Sequence, residues 1–177
     1  MIIAIAMCVV WYIISNFNVS ISGKLSNIFF FSMVGISLCI IVLFFTSGHW
    51  NTTNLLGNGG WTPMGGKGIF MATGVLSLKF IGFEMTPTLI EEITFPAKKL
   101  WKVILASLFV PALLYALVVI AIGGMAPWDK LAGMNMPEPE IIRSLGMPML
   151  FAWAALLAGS LHGFTTFMGF WTSSARV

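Results

Sequence analysis

Residues 69–90 read IFMATGVLSLKFIGFEMTPTLI, an apolar run that nevertheless carries Lys79, Gly82, Glu84 and Pro87 and closes on Glu91-Glu92. About 20 predominantly apolar residues cross roughly 30 Å of hydrocarbon, so the run is long enough to span a bilayer. A Lys or Asp at the centre of a lone spanning helix costs about 2.5–3.5 kcal/mol on insertion scales, and an intramembrane ionisable residue therefore marks a functional site by default. Gly82 weakens the helix and Pro87 removes a backbone donor, which frees carbonyls near residues 81–83 to face a ligand. Lipid forbids exposed carbonyls of that kind; a protein-lined cavity permits them. The run is expected to be a discontinuous helix inside a helical bundle.

Outward from this stretch, the composition agrees. Of 177 residues, 58% are hydrophobic and 8% charged, against about a quarter charged in soluble domains. The chain reads as an all-α integral membrane protein. Its net charge of +3, from nine basic and six acidic residues, is scattered singly through loops rather than gathered into a run that tracks phosphates, so nucleic acid is not an expected partner. Cys8 and Cys39 lie in apolar segments without a CxxC spacing and read as small core hydrophobes.

Three further runs, 26–46, 101–124 and 148–172, are long enough to span. Residues 1–14 are apolar without a basic flank, and at 1.5 Å per residue they reach only about 21 Å, which reads as a clipped span. On this reading residues 1–177 are a fragment of one transmembrane transporter domain. Lys24, Lys98, Lys99, Lys102 and Arg176 fall on one side of the membrane, and Lys67, Lys130 and Arg143 on the other. The excess places the side with residues 91–102 in the cytoplasm and the loops 47–68 and 125–147 outside, each with tryptophan (Trp50, Trp61, Trp128) at the interface.

The outer loop 54–68, rich in Gly, Asn and Thr, reads as a connector, and residues 137–146 (PEPEIIRSLG) as a short surface helix beginning after two prolines. Asn51-Thr52-Thr53 matches a glycosylation sequon, a triplet that often arises by chance.

With the spans placed, Lys79-Phe80-Ile81-Gly82-Phe83-Glu84, followed by Glu91-Glu92-Ile93-Thr94-Phe95-Pro96-Ala97-Lys98-Lys99, resembles the amino acid permeases of the amino acid, polyamine and organocation superfamily. In that family an F-x-G-F-E stretch lies in the sixth span, an E-E-x-x-x-P-x-K/R loop follows, and the seventh span carries a tyrosine, here Tyr115. Thr172-Ser173-Ser174-Ala175-Arg176 resembles the end of the eighth span. The likeness covers most of the chain as spans four (clipped) to eight.

The resemblance implies a partial LeuT-type inverted-repeat transporter fold with the substrate near the midplane, held by unwound centres of spans one and six. It implies a secondary transporter of amino acids or related amines in the plasma membrane, proton-linked or exchanging, that needs no cofactor. Partners would be the substrate, protons, the lipid bilayer and the N-terminal spans that lie outside this chain. Carbonyls around Phe80, Ile81, Gly82 and Phe83 would receive the substrate's ammonium group, and Glu84 would respond to protons and bias the gate. The sequence departs from the pattern at Lys79, at Leu78, where several relatives place a gating aromatic, and near Met33, where many carry a lysine.

Plainer readings stand beside these. Glu84 would equally serve as an acceptor for amides freed below Pro87. Five residues, about 500° of helix, separate Lys79 from Glu84, so they face different ways in a regular helix. Glu91 and Glu92 read as local partners of Lys98, Lys99 or Lys102. Ser160, His162 and Thr166, among Gly159, Gly163 and Thr165, read either as cavity lining opposite the sixth span or as a small-residue stripe for helix packing. Pro111 marks a kink. Two other functions are compatible with the composition: a non-transporting membrane subunit or assembly partner, and a membrane-embedded enzyme using His162 with Glu91 or Glu84. HExxH, GxSxG and phosphate-loop motifs are absent from the sequence, which weighs against catalysis.

Overall fold

The computed structural model describes residues 19–56, 62–80 and 96–174, together with Ile5, Val9, Tyr12 and Ile13. Among the described residues every regular element is helical. The long helices are α1 (Val19–Thr46), α4 (Leu100–Gly123) and α7 (Met149–Ser174), with α2 (Thr52–Leu56), α3 (Gly65–Ser77), α5 (Trp128–Leu131) and α6 (Pro137–Ser144) between them. Gly23–Thr46, Leu100–Gly123 and Met149–Phe170 are long and apolar enough to cross a membrane. These match the expected runs 26–46, 101–124 and 148–172, because a chain in hydrocarbon satisfies its amides and carbonyls within one helix. Of the apolar run 1–14, Ile5, Val9, Tyr12 and Ile13 are helical and exposed; the rest lies outside the described residues.

The chain forms two compact units, one of Met1–Leu38 with Trp153–Val177 and one of Cys39–Ala152. In the first, Phe29 of α1 meets Phe164 of α7 with ring centroids 6.2 Å apart, and Ala158 and Met168 are buried. In the second, Ile40, Ile41, Phe44, Ala121, Met125, Ile141, Ile142 and Ala152 are buried, Phe44 at 1% exposure and Ile142 at 0%.

The segment 47–56 is built rather than loose. Asn51 accepts the Thr53 amide on its side-chain oxygen at 2.9 Å and caps α2, which begins one residue later. The Gly124 carbonyl, at the end of α4, receives the Asn51 amide and the Asn54 side-chain amide, each at 2.8 Å. The Trp50 indole donates to the Ile120 carbonyl at 3.2 Å, and its ring lies 5.2 Å from that of Phe45. The Gly124 carbonyl, left without a helical donor, is thereby satisfied by a segment about 70 residues earlier, and the Ile120 carbonyl, which already accepts the Gly124 amide at 3.1 Å, takes the indole as a second donor. The connector expected at 54–68 is thus helical through Leu56, and α3 starts at Gly65 rather than 69.

Residues 137–146 form the expected helix, but it starts at Pro137 and is held inward by Pro139, Ile141 and Ile142. Glu140 reaches back to accept the Asn135 and Met136 amides at 3.1 and 3.0 Å. At the far end Gly146, at φ 67°, lets the Met147 amide turn back to the Ile142 carbonyl at 3.0 Å, the wrap by which a glycine stops a helix. Both termini and the apolar face are fixed, so this helix is a packed part of its unit.

Candidate functional site

Helix α3 ends just before Lys79–Glu84, the stretch that resembles a permease motif. It runs from Gly65 to Ser77 and gives way to a 3₁₀ turn at Leu78–Phe80. The local cause is legible. Gly65, Gly66, Gly68 and Gly74 each lower helix propensity by up to about 1 kcal/mol relative to alanine. The Thr73 and Ser77 hydroxyls donate to the Ile69 and Gly74 carbonyls, both at 2.8 Å, and such back-bonding competes with the helix amides that want the same acceptors. The regular helix α3 therefore ends at Ser77. Of the predicted substrate residues, Phe80 falls in the turn; Ile81, Gly82, Phe83 and the proposed proton group Glu84 lie outside the described residues, as do Glu91 and Glu92.

Phe80 is fixed by a neighbour. Its ring meets that of Tyr115 edge-on, with centroids 5.9 Å apart and planes at 87°. That geometry suits the ring quadrupoles and contributes about 0.5–1.5 kcal/mol beyond burial. Tyr115 sits on the half-buried side of α4 together with Ser107 and Pro111, at four-residue intervals along one stripe. Pro111 lies inside the helix and has no amide hydrogen, so the Ser107 carbonyl has no donor at the usual position four residues on. The Ser107 hydroxyl points the other way, donating to the Ile104 carbonyl at 2.8 Å. The turn at residues 78–80 thus lies against a stripe that combines an aromatic hydroxyl with a proline-released carbonyl. Proline alone predicted a kink here; its spacing from Tyr115 was the signal that both serve the same face.

Helix α7 separates the other three candidates. His162 and Thr166 are four residues apart and share a face, whereas Ser160 lies about 200° round from His162. Ser160 shares its side with Phe164, which meets α1, and its hydroxyl donates to the Leu156 carbonyl at 2.9 Å. His162 and Thr166 lie with Gly159 and Gly163 on an exposed strip, and a β-carbon added at either glycine would meet nothing within 4 Å. Ser160, His162 and Thr166 therefore do not line one surface of this helix. Among the described residues no group of three His, Cys, Asp or Glu is placed to hold a metal ion.

Comparison with known proteins fits this arrangement. The family described as "Amino acid permease" matches residues 1–176. The branched-chain amino acid permease BcaP of Bacillus subtilis (strain 168) is 35% identical over 108 residues, covering 60% of this chain and 22% of that protein. The uncharacterized amino acid permease YtnA of the same organism is 26% identical over 119 residues, 66% of this chain and 26% of the relative. Cationic amino acid transporter 1 of Arabidopsis thaliana is 22% identical over 167 residues, 93% of this chain and 26% of the relative. The chain thus spans about a quarter of the length of these curated relatives. No solved structure matches it. With the family matched over residues 1–176 and three apolar helices of spanning length, the chain belongs to the amino acid permease family and is a membrane protein.

Proposed function

We propose that this chain contributes half of the substrate site of a secondary transporter that carries amino acids or related amines across the plasma membrane. The observation that carries the reading is the replacement of α-helix by a 3₁₀ turn at Leu78–Phe80, at the head of the FIGFE motif. A backbone that leaves the α-helix inside a spanning segment offers carbonyls at membrane depth, where an ammonium group is what they would satisfy. Phe80, Ile81, Gly82 and Phe83 supply those carbonyls, with Gly82 allowing close approach. The relatives are named for branched-chain and for cationic amino acids. A site that grips the α-ammonium through backbone carbonyls would serve both classes, leaving side-chain choice to other residues.

Glu84 is the group proposed to link transport to protons. Glutamate inside a membrane segment is retained at a cost, and a change in its charge would alter the balance between the two gate positions. The fold proposed for the whole protein is the LeuT-type arrangement of inverted repeats, in which this chain provides spans four to eight.

The test is uptake of labelled leucine and arginine into proteoliposomes containing the full-length protein. Gly82→Val is expected to abolish uptake of both while leaving helix content unchanged. Equal loss for the two substrates is the signature of a shared ammonium site; retained uptake of either sinks it.

A further inference from the structure

The entry to α4 is a compact basic and aromatic patch that the transport reading does not use. The Lys99 amide donates to the Pro96 carbonyl at 2.8 Å and closes a 3₁₀ turn over Ala97–Lys99, which leads directly into α4 at Leu100. Lys98 and Lys99 are exposed. Trp101 is 58% exposed, and the Lys102 ammonium sits 5.5 Å from the centroid of its indole. The cation–π contact draws Lys102 back onto the tryptophan rather than letting it extend into water. Three lysines therefore fall within five residues of one another at the start of a helix long and apolar enough to span, with Lys102 the one drawn onto the indole. Immediately beyond them the helix presents bare apolar side chains, with Val103, Leu105 and Phe109 all exposed.

We propose that Lys98, Lys99 and Lys102, with Trp101, form a docking site for an anionic phospholipid. Positive charge at the interface matches the phosphate of the headgroup, while the exposed flank of α4 accepts an acyl chain. A free phosphate would use only the first of these surfaces, and an acidic protein segment would leave the second one bare. The tryptophan fixes the depth, because its ring is apolar and its N–H is wet at the headgroup level. Each juxtamembrane lysine contributes attraction to an anionic surface that corresponds to roughly a fivefold change in partition.

The experiment measures the association of spin-labelled phosphatidylglycerol, relative to spin-labelled phosphatidylcholine, with the whole 177-residue chain reconstituted in phosphatidylcholine bilayers. Wild type is expected to favour the anionic lipid by more than tenfold, and Lys98→Gln/Lys99→Gln/Lys102→Gln to bring the ratio close to one. Trp101→Ala, which leaves all three lysines, is expected to lower it several-fold. Helix content by circular dichroism accompanies each variant, and Lys24→Gln serves as a charge control that leaves the ratio high. A ratio near one in wild type overturns the proposal and favours lysines neutralised within the chain by Glu91 and Glu92. An unchanged ratio in the triple variant overturns it as well. Displacement of the lipid by inorganic phosphate, but not by chloride at matched ionic strength, would identify a free-phosphate site instead.

Discussion

Trp50 occupies the space that a β-carbon on Gly124 would need: the indole Nε1, Cε2 and Cδ1 are the nearest atoms to that position. The backbone at Gly124 does not itself require glycine, since its φ of −78° is helical and open to any residue. At an unconstrained helical position Gly→Ala stabilises, by up to about 1 kcal/mol. Here the sign is expected to reverse. Gly124→Ala should cost about 1–3 kcal/mol through overpacking and loss of the Trp50–Ile120 hydrogen bond, read as a lower thermal midpoint in detergent. In a Trp50→Ala background the same substitution should become neutral or stabilising, and this double-mutant cycle isolates the contact. Additive effects would mean that Trp50 and Gly124 are not coupled.

The ring pair at the 3₁₀ turn that follows α3 gives a second prediction. Tyr115→Phe keeps the edge-on contact with Phe80 and should leave stability within about 0.5 kcal/mol, whereas Tyr115→Ala should lose about 1–3 kcal/mol, less than a core aromatic because the ring is half-buried. Hydrogen exchange at residues 76–80 reports the contact directly. Faster exchange there in Tyr115→Ala, with Tyr115→Phe like wild type, is the expected pattern; equal exchange in all three would show that the 3₁₀ turn holds itself.

The long helices were legible in the sequence because hydrocarbon leaves the backbone little choice, and runs of Leu, Ile, Val and Phe near 24 residues have one outcome. Lys79, Gly82 and Glu84 mark 69–90 as an anomaly in the sequence, and of these Gly82 and Glu84 lie outside the described residues. The end of α3 at Ser77 was not legible, because it depends on hydroxyl groups of Thr73 and Ser77 choosing carbonyls within their own helix. The built segment at 47–56 was hidden for a different reason. Gly, Asn and Thr signal turns locally, while the bonds that order this segment come from the end of α4, about 70 residues later. The burial of Ile141 and Ile142 was equally remote from the local text, where Glu138, Glu140 and Arg143 suggest a solvated helix. For the candidate site, spacing alone placed Ser160 on a different side of α7 from His162 and Thr166 once the helix proved regular.

Glu140 supports a third prediction. Its Oε1 accepts two amides, from Asn135 and Met136, at the start of α6. Glu140→Ala should cost about 1–2 kcal/mol, in the range of a lost helix cap. The glutamine variant keeps a side-chain oxygen at the same reach and should recover part of that loss, without the charge-assisted share. Because Ile141 and Ile142 anchor the same helix, its amides should exchange faster in the alanine variant without unfolding of the unit. Full unfolding of α6 in Glu140→Ala would mean that the buried isoleucines do not hold the helix without its cap.

The last prediction concerns the proposed proton link. If Glu84 changes its charge during transport, uptake by the full-length protein should rise as pH falls through the range where the carboxyl takes up a proton. A glutamine at 84 carries no such charge, so Glu84→Gln should flatten this profile while leaving insertion into the membrane and helix content unaltered. The sign follows from what glutamine mimics: it stands for the protonated carboxyl, so the variant should hold the low-pH behaviour at every pH. A variant that instead loses uptake evenly across the pH range, with substrate affinity reduced, would make Glu84 a structural acceptor for the amides released near Pro87. An arginine or lysine substrate sharpens the test, since a charged glutamate near a cationic side chain would alter its affinity with pH while leaving that of leucine alone. Measuring both substrates therefore separates a proton-linked gate, which moves the two profiles together, from a local charge that moves only one.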